Sequence, residues 1–151
     1  MRRLTAGFTA IELLLVVVIG GIMMSVAIPY LRSSSQRTSV HGAADEISRL
    51  YATARAASIQ RGKTAWLVMQ SSTSTVLVIA KKANATGIDT VAQPDKLSTR
   101  YGVTFTTTTD SLVFTPRGVG ANLSATTVVL TSITGVAVDT VTIYPTGTIQ
   151  R

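Results

Sequence analysis

From Leu13 to Leu31 the chain runs through 19 residues without a charge, LLLVVVIGGIMMSVAIPYL. As an α-helix this run is about 28 Å long, close to the hydrocarbon thickness of a bilayer. After Leu31 the sequence turns polar (RSSSQRTS). Apolar positions then return at Val40, Ala43/Ala44, Ile47, Leu50/Tyr51, Ala54 and Ala57/Ser58, with Asp45, Glu46, Arg49 and Arg55 between them. Steps of three and four predict an amphipathic helix with one face for a core. The two stretches read as a single helix of about fifty residues that stops near Gly62, a residue suited to a helix end.

From Lys63 onward the pattern changes to short runs rich in Val, Thr and Ile. Thr64–Met69 and Thr75–Ala80, separated by the polar stretch from Gln70 to Ser74, predict a hairpin. Further strands are predicted at Val103–Thr107, Ser111–Thr115, Thr126–Thr131 and Val136–Tyr144, with a short one at Thr148–Gln150 after the turn Pro145-Thr146-Gly147. The stretch from Lys81 to Arg100, with Asn84, Gly87 and Pro94, gives no clear pattern. The fold class is α+β: a long N-terminal helix, half apolar and half amphipathic, packed on a small antiparallel β-sheet domain. The segments are 8–31, 32–62 and 63–151.

Composition narrows the chemistry. The chain has 151 residues and no cysteine, which excludes a disulfide framework and thiolate metal sites. From Arg32 onward it holds 12 Lys/Arg against 6 Asp/Glu, a difference of +6. Such a balance permits weak attraction to anionic lipid, acidic protein or nucleic acid, although scattered cations also suit an ordinary solvated surface. His41 is the single histidine, with neither a second histidine nor an acidic cluster beside it to make a metal site. No catalytic triad, phosphate-binding glycine loop or HExxH motif is present. The chain reads as a non-enzyme that needs no cofactor.

The apolar run has two readings: a cleaved secretory signal, or a retained membrane anchor. Its length exceeds a usual signal core, and Arg2 and Arg3 place its N-terminus on the cytoplasmic side. Glu12 stands at its head, where an acid is costly in lipid unless partnered. A retained helix that packs against copies of itself has a use for such an acid. Pro29 and Gly20-Gly21 weaken the helix locally, and membrane helices tolerate both.

The run Gly7-Phe8-Thr9-Ala10-Ile11-Glu12-Leu13 resembles the leader junction of type IV prepilins and type II secretion pseudopilins. The resemblance implies a leader of residues 1–7, cut between Gly7 and Phe8 by an inner-membrane prepilin peptidase, with N-methylation of Phe8. It places Glu12 and Pro29 where the family keeps an assembly Glu and a helix-distorting Pro. It further implies a single-pass inner-membrane protein whose C-terminal domain lies in the periplasm, extracted into a periplasmic or surface filament with other pilins or pseudopilins as partners. The physical logic is that the freed Phe8 amine of one subunit can meet Glu12 of the next, and such a pair is worth most in an apolar medium.

A narrower resemblance is to the GspH/FimT group of minor pilins and pseudopilins. It rests on the helix end Ala54–Lys63, on Leu112-Val113-Phe114-Thr115-Pro116-Arg117-Gly118, and on Val141-Thr142-Ile143-Tyr144-Pro145-Thr146-Gly147. It implies a structural minor subunit at the tip or initiation complex of a type II secretion pseudopilus or type IV pilus, with a major pilin as a weaker option. Some FimT-like proteins bind DNA through a basic C-terminal motif, which implies an alternative role in DNA uptake. The tail here, Gly147-Thr148-Ile149-Gln150-Arg151, carries a single Arg. Candidate anion contacts are Lys81, Lys82, Arg117 and Arg151, and useful affinity for phosphates requires such cations to converge.

Overall fold

A computed structural model describes residues 8–122 and 124–151. The leader 1–7, with Gly7, lies outside them. The chain divides into two units, Met1–Ser35 and Gln36–Arg151. Helix α1, Ala10–Arg61, crosses from one to the other.

In the first unit no described side chain is buried, and the large apolar residues from Ile11 to Leu31 are exposed. Ser25 Oγ donates to the Ile22 carbonyl at 2.7 Å and Ser33 Oγ to the Tyr30 carbonyl at 2.9 Å, so both hydroxyls are satisfied within the helix.

In the second unit α1 buries Val40, Ala43, Ala44, Ile47, Leu50, Tyr51, Ala54, Ala57 and Ser58, the face that the periodicity marks out. Glu46 is buried too, which the pattern did not foretell. Arg49 pairs with it through both carboxylate oxygens, one of them at 2.8 Å from Nε, and this offsets the cost of taking an acid out of water. The helix ends where Gly62 adopts a left-handed conformation (φ 58°). Gly62 N–H then donates to the Ile59 carbonyl and Lys63 N–H to the Ser58 carbonyl, the paired bonds of a Schellman stop.

The strands are β1 (Ala65–Gln70), β2 (Thr75–Lys81), β3 (Ile88–Lys96), β4 (Val103–Thr107), β5 (Ser111–Phe114), β6 (Thr126–Ser132), β7 (Val138–Ile143) and β8 (Ile149–Gln150). A four-residue helix α2, Leu97–Arg100, follows β3. They form two antiparallel sheets, ordered β3-β2-β1-β5 and β4-β6-β7-β8, which together make up the small antiparallel β domain expected. The β1–β2 hairpin forms within one residue of the predicted limits, with Gln70, expected in the connection, paired opposite Thr75. Strand β3 and helix α2 occupy the stretch that showed no pattern, and β7 begins at Val138, two residues later than expected.

Strict alternation explains which side chains face inward. Ala65, Leu67 and Met69 of β1, Val76, Val78 and Ala80 of β2, and Val128 and Leu130 of β6 are buried. With the inner face of α1 most of these form one continuous core, to which Phe114, Phe105, Leu97 and Ile143 belong. Tyr51 meets Phe114 edge-on with ring centres 5.1 Å apart. Each fully buried aliphatic side chain contributes about 1.5–3 kcal/mol.

Candidate functional site

Phe8 is 81% exposed. Thr9 and Glu12 then form a reciprocal cap on α1. The Glu12 amide donates to Thr9 Oγ1 at 3.3 Å, while the Thr9 amide and hydroxyl donate to Glu12 Oε2 at 3.1 and 2.9 Å. This is the capping box that the spacing Thr-x-x-Glu encodes. The sequence carried this signal, and the assembly reading of Glu12 passed over it. The cap fixes the carboxylate at the helix N-terminus, where the helix dipole favours an anion. Both of these hydrogen bonds to the carboxylate fall on Oε2.

The apolar run follows directly, with a mean hydropathy of 2.6 over its most apolar stretch and none of that stretch buried. Pro29 lies inside it and offers no N–H to the Ser25 carbonyl one turn back. Gly20 and Gly21 have open space where a Cβ would stand, room in which another helix could approach closely.

The two loop motifs have structural work. In Phe114-Thr115-Pro116-Arg117-Gly118 the chain turns at Gly118 (φ 74°), whose N–H donates to the Thr115 carbonyl at 2.8 Å. A Cβ there would come within 2.6 Å of Ile59 Cδ1. In Pro145-Thr146-Gly147, Gly147 (φ 90°) donates to the Tyr144 carbonyl at 2.9 Å, and a Cβ would meet the Tyr51 hydroxyl at 3.2 Å. Both turns therefore close on Tyr51, Arg55 and Ile59, one stripe of α1, and only glycine satisfies the backbone and the space together.

The candidate cations separate into two places. Strand β1 begins opposite Ala80 and Phe114, and β3 begins opposite Lys81. Lys81, Lys82 and Arg117 thus lie at one end of the first sheet. Lys63, which sequence reading did not single out, joins Lys81 and Lys82 around a cleft of about 230 Å³. Asp89, at the same end, is paired with Arg61 at 3.1 Å. Arg151 is elsewhere and engaged: it donates to Asp139 Oδ2 at 2.9 Å, Asp45 Oδ1 at 2.7 Å and the His41 carbonyl at 2.9 Å. His41 Nδ1 lies 2.9 Å from Asp139 Oδ2 and 2.8 Å from Arg151 Nη2. It can donate to the carboxylate or accept from the guanidinium, and the tautomer decides which. Burial pushes the Asp139 carboxyl up, but hydrogen bonds from Arg151, His41 and the Thr140 amide outweigh it and hold its pKa below the ordinary value. Among the described residues no group of three His, Cys, Asp or Glu side chains could hold a metal ion.

A capped apolar helix whose second half packs on antiparallel sheets defines the class: the pilin fold. The type IV minor pilin FimU of Pseudomonas aeruginosa (strain PAO1) aligns with a TM-score of 0.59 at 14% identity, over 77% of this chain and 90% of that one. A second crystal form of FimU gives 0.54 at 14% identity, over 73% and 90%. The minor pseudopilin EpsH from the type 2 secretion system of Vibrio cholerae gives 0.46 at 13%, over 77% and 94%. No curated protein sequence matches this one.

The family is shown by the sequence itself. Residues 43–147 match the family described as Type II transport protein GspH, and the chain belongs to that family. Family and fold together make it a minor pilin or pseudopilin of the GspH/FimT type, a structural subunit and not an enzyme.

Proposed function

We propose that this chain is a prepilin-type precursor, cut between Gly7 and Phe8 by a prepilin peptidase and methylated on the new Phe8 amine. It is held in the inner membrane by residues 8–31 with its C-terminal domain in the periplasm. From there it enters a type II secretion pseudopilus or a type IV pilus as a minor subunit of the tip or initiation complex. The observation that carries this reading is Glu12, capped by Thr9 and standing at the head of an exposed apolar run. In an apolar medium a bare carboxylate is costly, and the methylated amine of a neighbouring subunit supplies the missing charge. Incubating the full chain with prepilin peptidase tests it: the expected product starts at Phe8, and an intact leader would refute the reading.

One arrangement favours a second reading, capture of DNA by the C-terminal domain. Lys63, Lys81, Lys82 and Arg117 share one end of the first sheet. Arg151 takes no part, since Asp139 and Asp45 hold it. A gel shift with residues 36–151 across a salt series decides. Retardation at low salt that weakens with salt, and is lost in Lys81→Glu/Lys82→Glu, supports it; no retardation removes it.

A further inference from the structure

The tip of the β6–β7 hairpin carries three large apolar side chains that the core leaves uncovered. Ile133, Val136 and Val138 are 64%, 62% and 60% exposed, and from Thr126 to Val138 the sequence has no charge. The turn is closed by Gly135 (φ 74°), whose N–H donates to the Ser132 carbonyl at 2.8 Å. Strand alternation turns Val128, Leu130 and Ser132 inward, and beyond the turn Ala137 returns to the core while Ile133, Val136 and Val138 stay outside it. Apolar side chains in such a place lose free energy to water unless something outside the chain covers them.

The tip is tied to a defined point on α1. Thr134 Oγ1 donates to Gln36 Oε1 at 2.7 Å, and Val136, Ala137 and Val138 share a cleft with Arg37, Val40 and His41. Gln36 follows the last residue of the apolar run, Leu31, by five positions. Five residues span about 7.5 Å in a helix and no more than about 18 Å fully extended. This bound comes from chain length and holds for any disposition of the two units. The headgroup layer on each side of a bilayer is itself roughly 5–7 Å thick. Between Leu13 and Ala44 the charged residues are Arg32 and Arg37, both cationic and both exposed.

We propose that the tip of the β6–β7 hairpin, Ile133 to Val138, inserts into the phospholipid headgroup layer of the membrane that holds the helix, with Arg32 and Arg37 on lipid phosphates. The inference rests on the membrane-anchor reading above. Apolar side chains beside cations are the makeup of interfacial contacts, where burial of apolar area and attraction to anionic lipid add. A second copy is a poorer occupant. Three side chains on a narrow tip fall short of the ~800 Å² per partner that a stable protein interface buries. The contact would hold the domain against the membrane before assembly, and extraction into a filament would break it.

The chain lacks cysteine, so single cysteines can carry a polarity-sensitive fluorophore. The full chain, with Ile133→Cys, Val136→Cys, Ile22→Cys or Ile88→Cys, is labelled and placed in vesicles of phosphatidylethanolamine and phosphatidylglycerol. Expected is blue-shifted emission at positions 133 and 136, intermediate between position 22 in the span and the water-like position 88. The shift should not depend on protein-to-lipid ratio. Adding Ile133→Asp to the Val136→Cys chain should return emission to the water-like value with an unchanged circular dichroism spectrum. Water-like emission at 133 and 136 while position 22 reports lipid would overturn the proposal and leave the anchor standing. A shift that grows with protein-to-lipid ratio would assign the tip to another subunit and equally overturn it. Water-like emission at position 22 would overturn the anchor reading, and the proposal with it.

Discussion

Between Leu13 and Leu31 no side chain of α1 is buried, whereas between Val40 and Ser58 ten are. Apart from the N–H that Pro29 lacks, both stretches are the same α-helical backbone, so the difference lies in the side chains. The second half buries a narrow stripe with small residues, Ala43, Ala44, Ala54 and Ala57, where sheets must come close, and places Asp45, Arg49 and Arg55 outside it. The first half is large and apolar on every side. A helix hydrophobic all round needs burial all round, which means lipid or other helices. The comparison teaches that one half of the helix is completed by its own chain and the other by something outside it.

Core truncation should separate the halves most sharply. Leu50→Ala should cost the fragment 36–151 about 2–5 kcal/mol, read by urea denaturation. Ile22→Ala in the full chain should leave the domain's unfolding midpoint unchanged. A charge in the first half should do the reverse. Ile22→Asp should weaken membrane insertion by about 3–4 kcal/mol, measured as the share of chain in carbonate-washed membranes, and should spare the domain's circular dichroism.

The helix with its buried stripe was legible because 19 uncharged residues and then a three-four step leave few alternatives. Seven of the strands were legible from Val and Thr alternation. Strand β3 was not. It is a sheet edge, irregular in register between Val76 and Ile79 of its partner and mostly exposed, so Ile-Asp-Thr-Val-Ala-Gln-Pro-Asp-Lys carries no inward set to alternate. Helix α2 is four residues long, too short for any period to show. The split into two sheets depends on pairings such as Leu67 with Leu112 and Phe105 with Leu130, which are matters of tertiary approach. At the candidate sites, position alone marked Glu12. Arg151 was taken for an available cation because Asp45, 106 residues away, and Asp139 meet it only in the folded chain.

Smaller effects sharpen the account of how the second half docks. Gly118→Ala adds a left-handed non-glycine residue, costing roughly 1–2 kcal/mol, and a clash with Ile59. Gly62→Ala meets open space and should cost less. Paired thermal melts of the fragment check the order. Acid should act through Asp139 and Glu46. The Arg49 hydrogen bond holds the Glu46 pKa below 4.5 against the opposing effect of burial, and Asp139 lies below 3.8. A depressed folded pKa gives stability that is complete above the unfolded value and is lost as pH falls through the folded one. The fragment's denaturation midpoint should thus hold at neutral pH and decline below roughly pH 4. Asp139→Asn should make that decline shallower.

Co-expressing the intact chain and Glu12→Gln with the other filament subunits, and measuring each in the sheared filament fraction, bears most directly on the idea that the first half is completed from outside. Loss of the Glu12→Gln chain from filaments, with its leader still removed and its domain still folded, is the expected result. Equal incorporation of the two would contradict it.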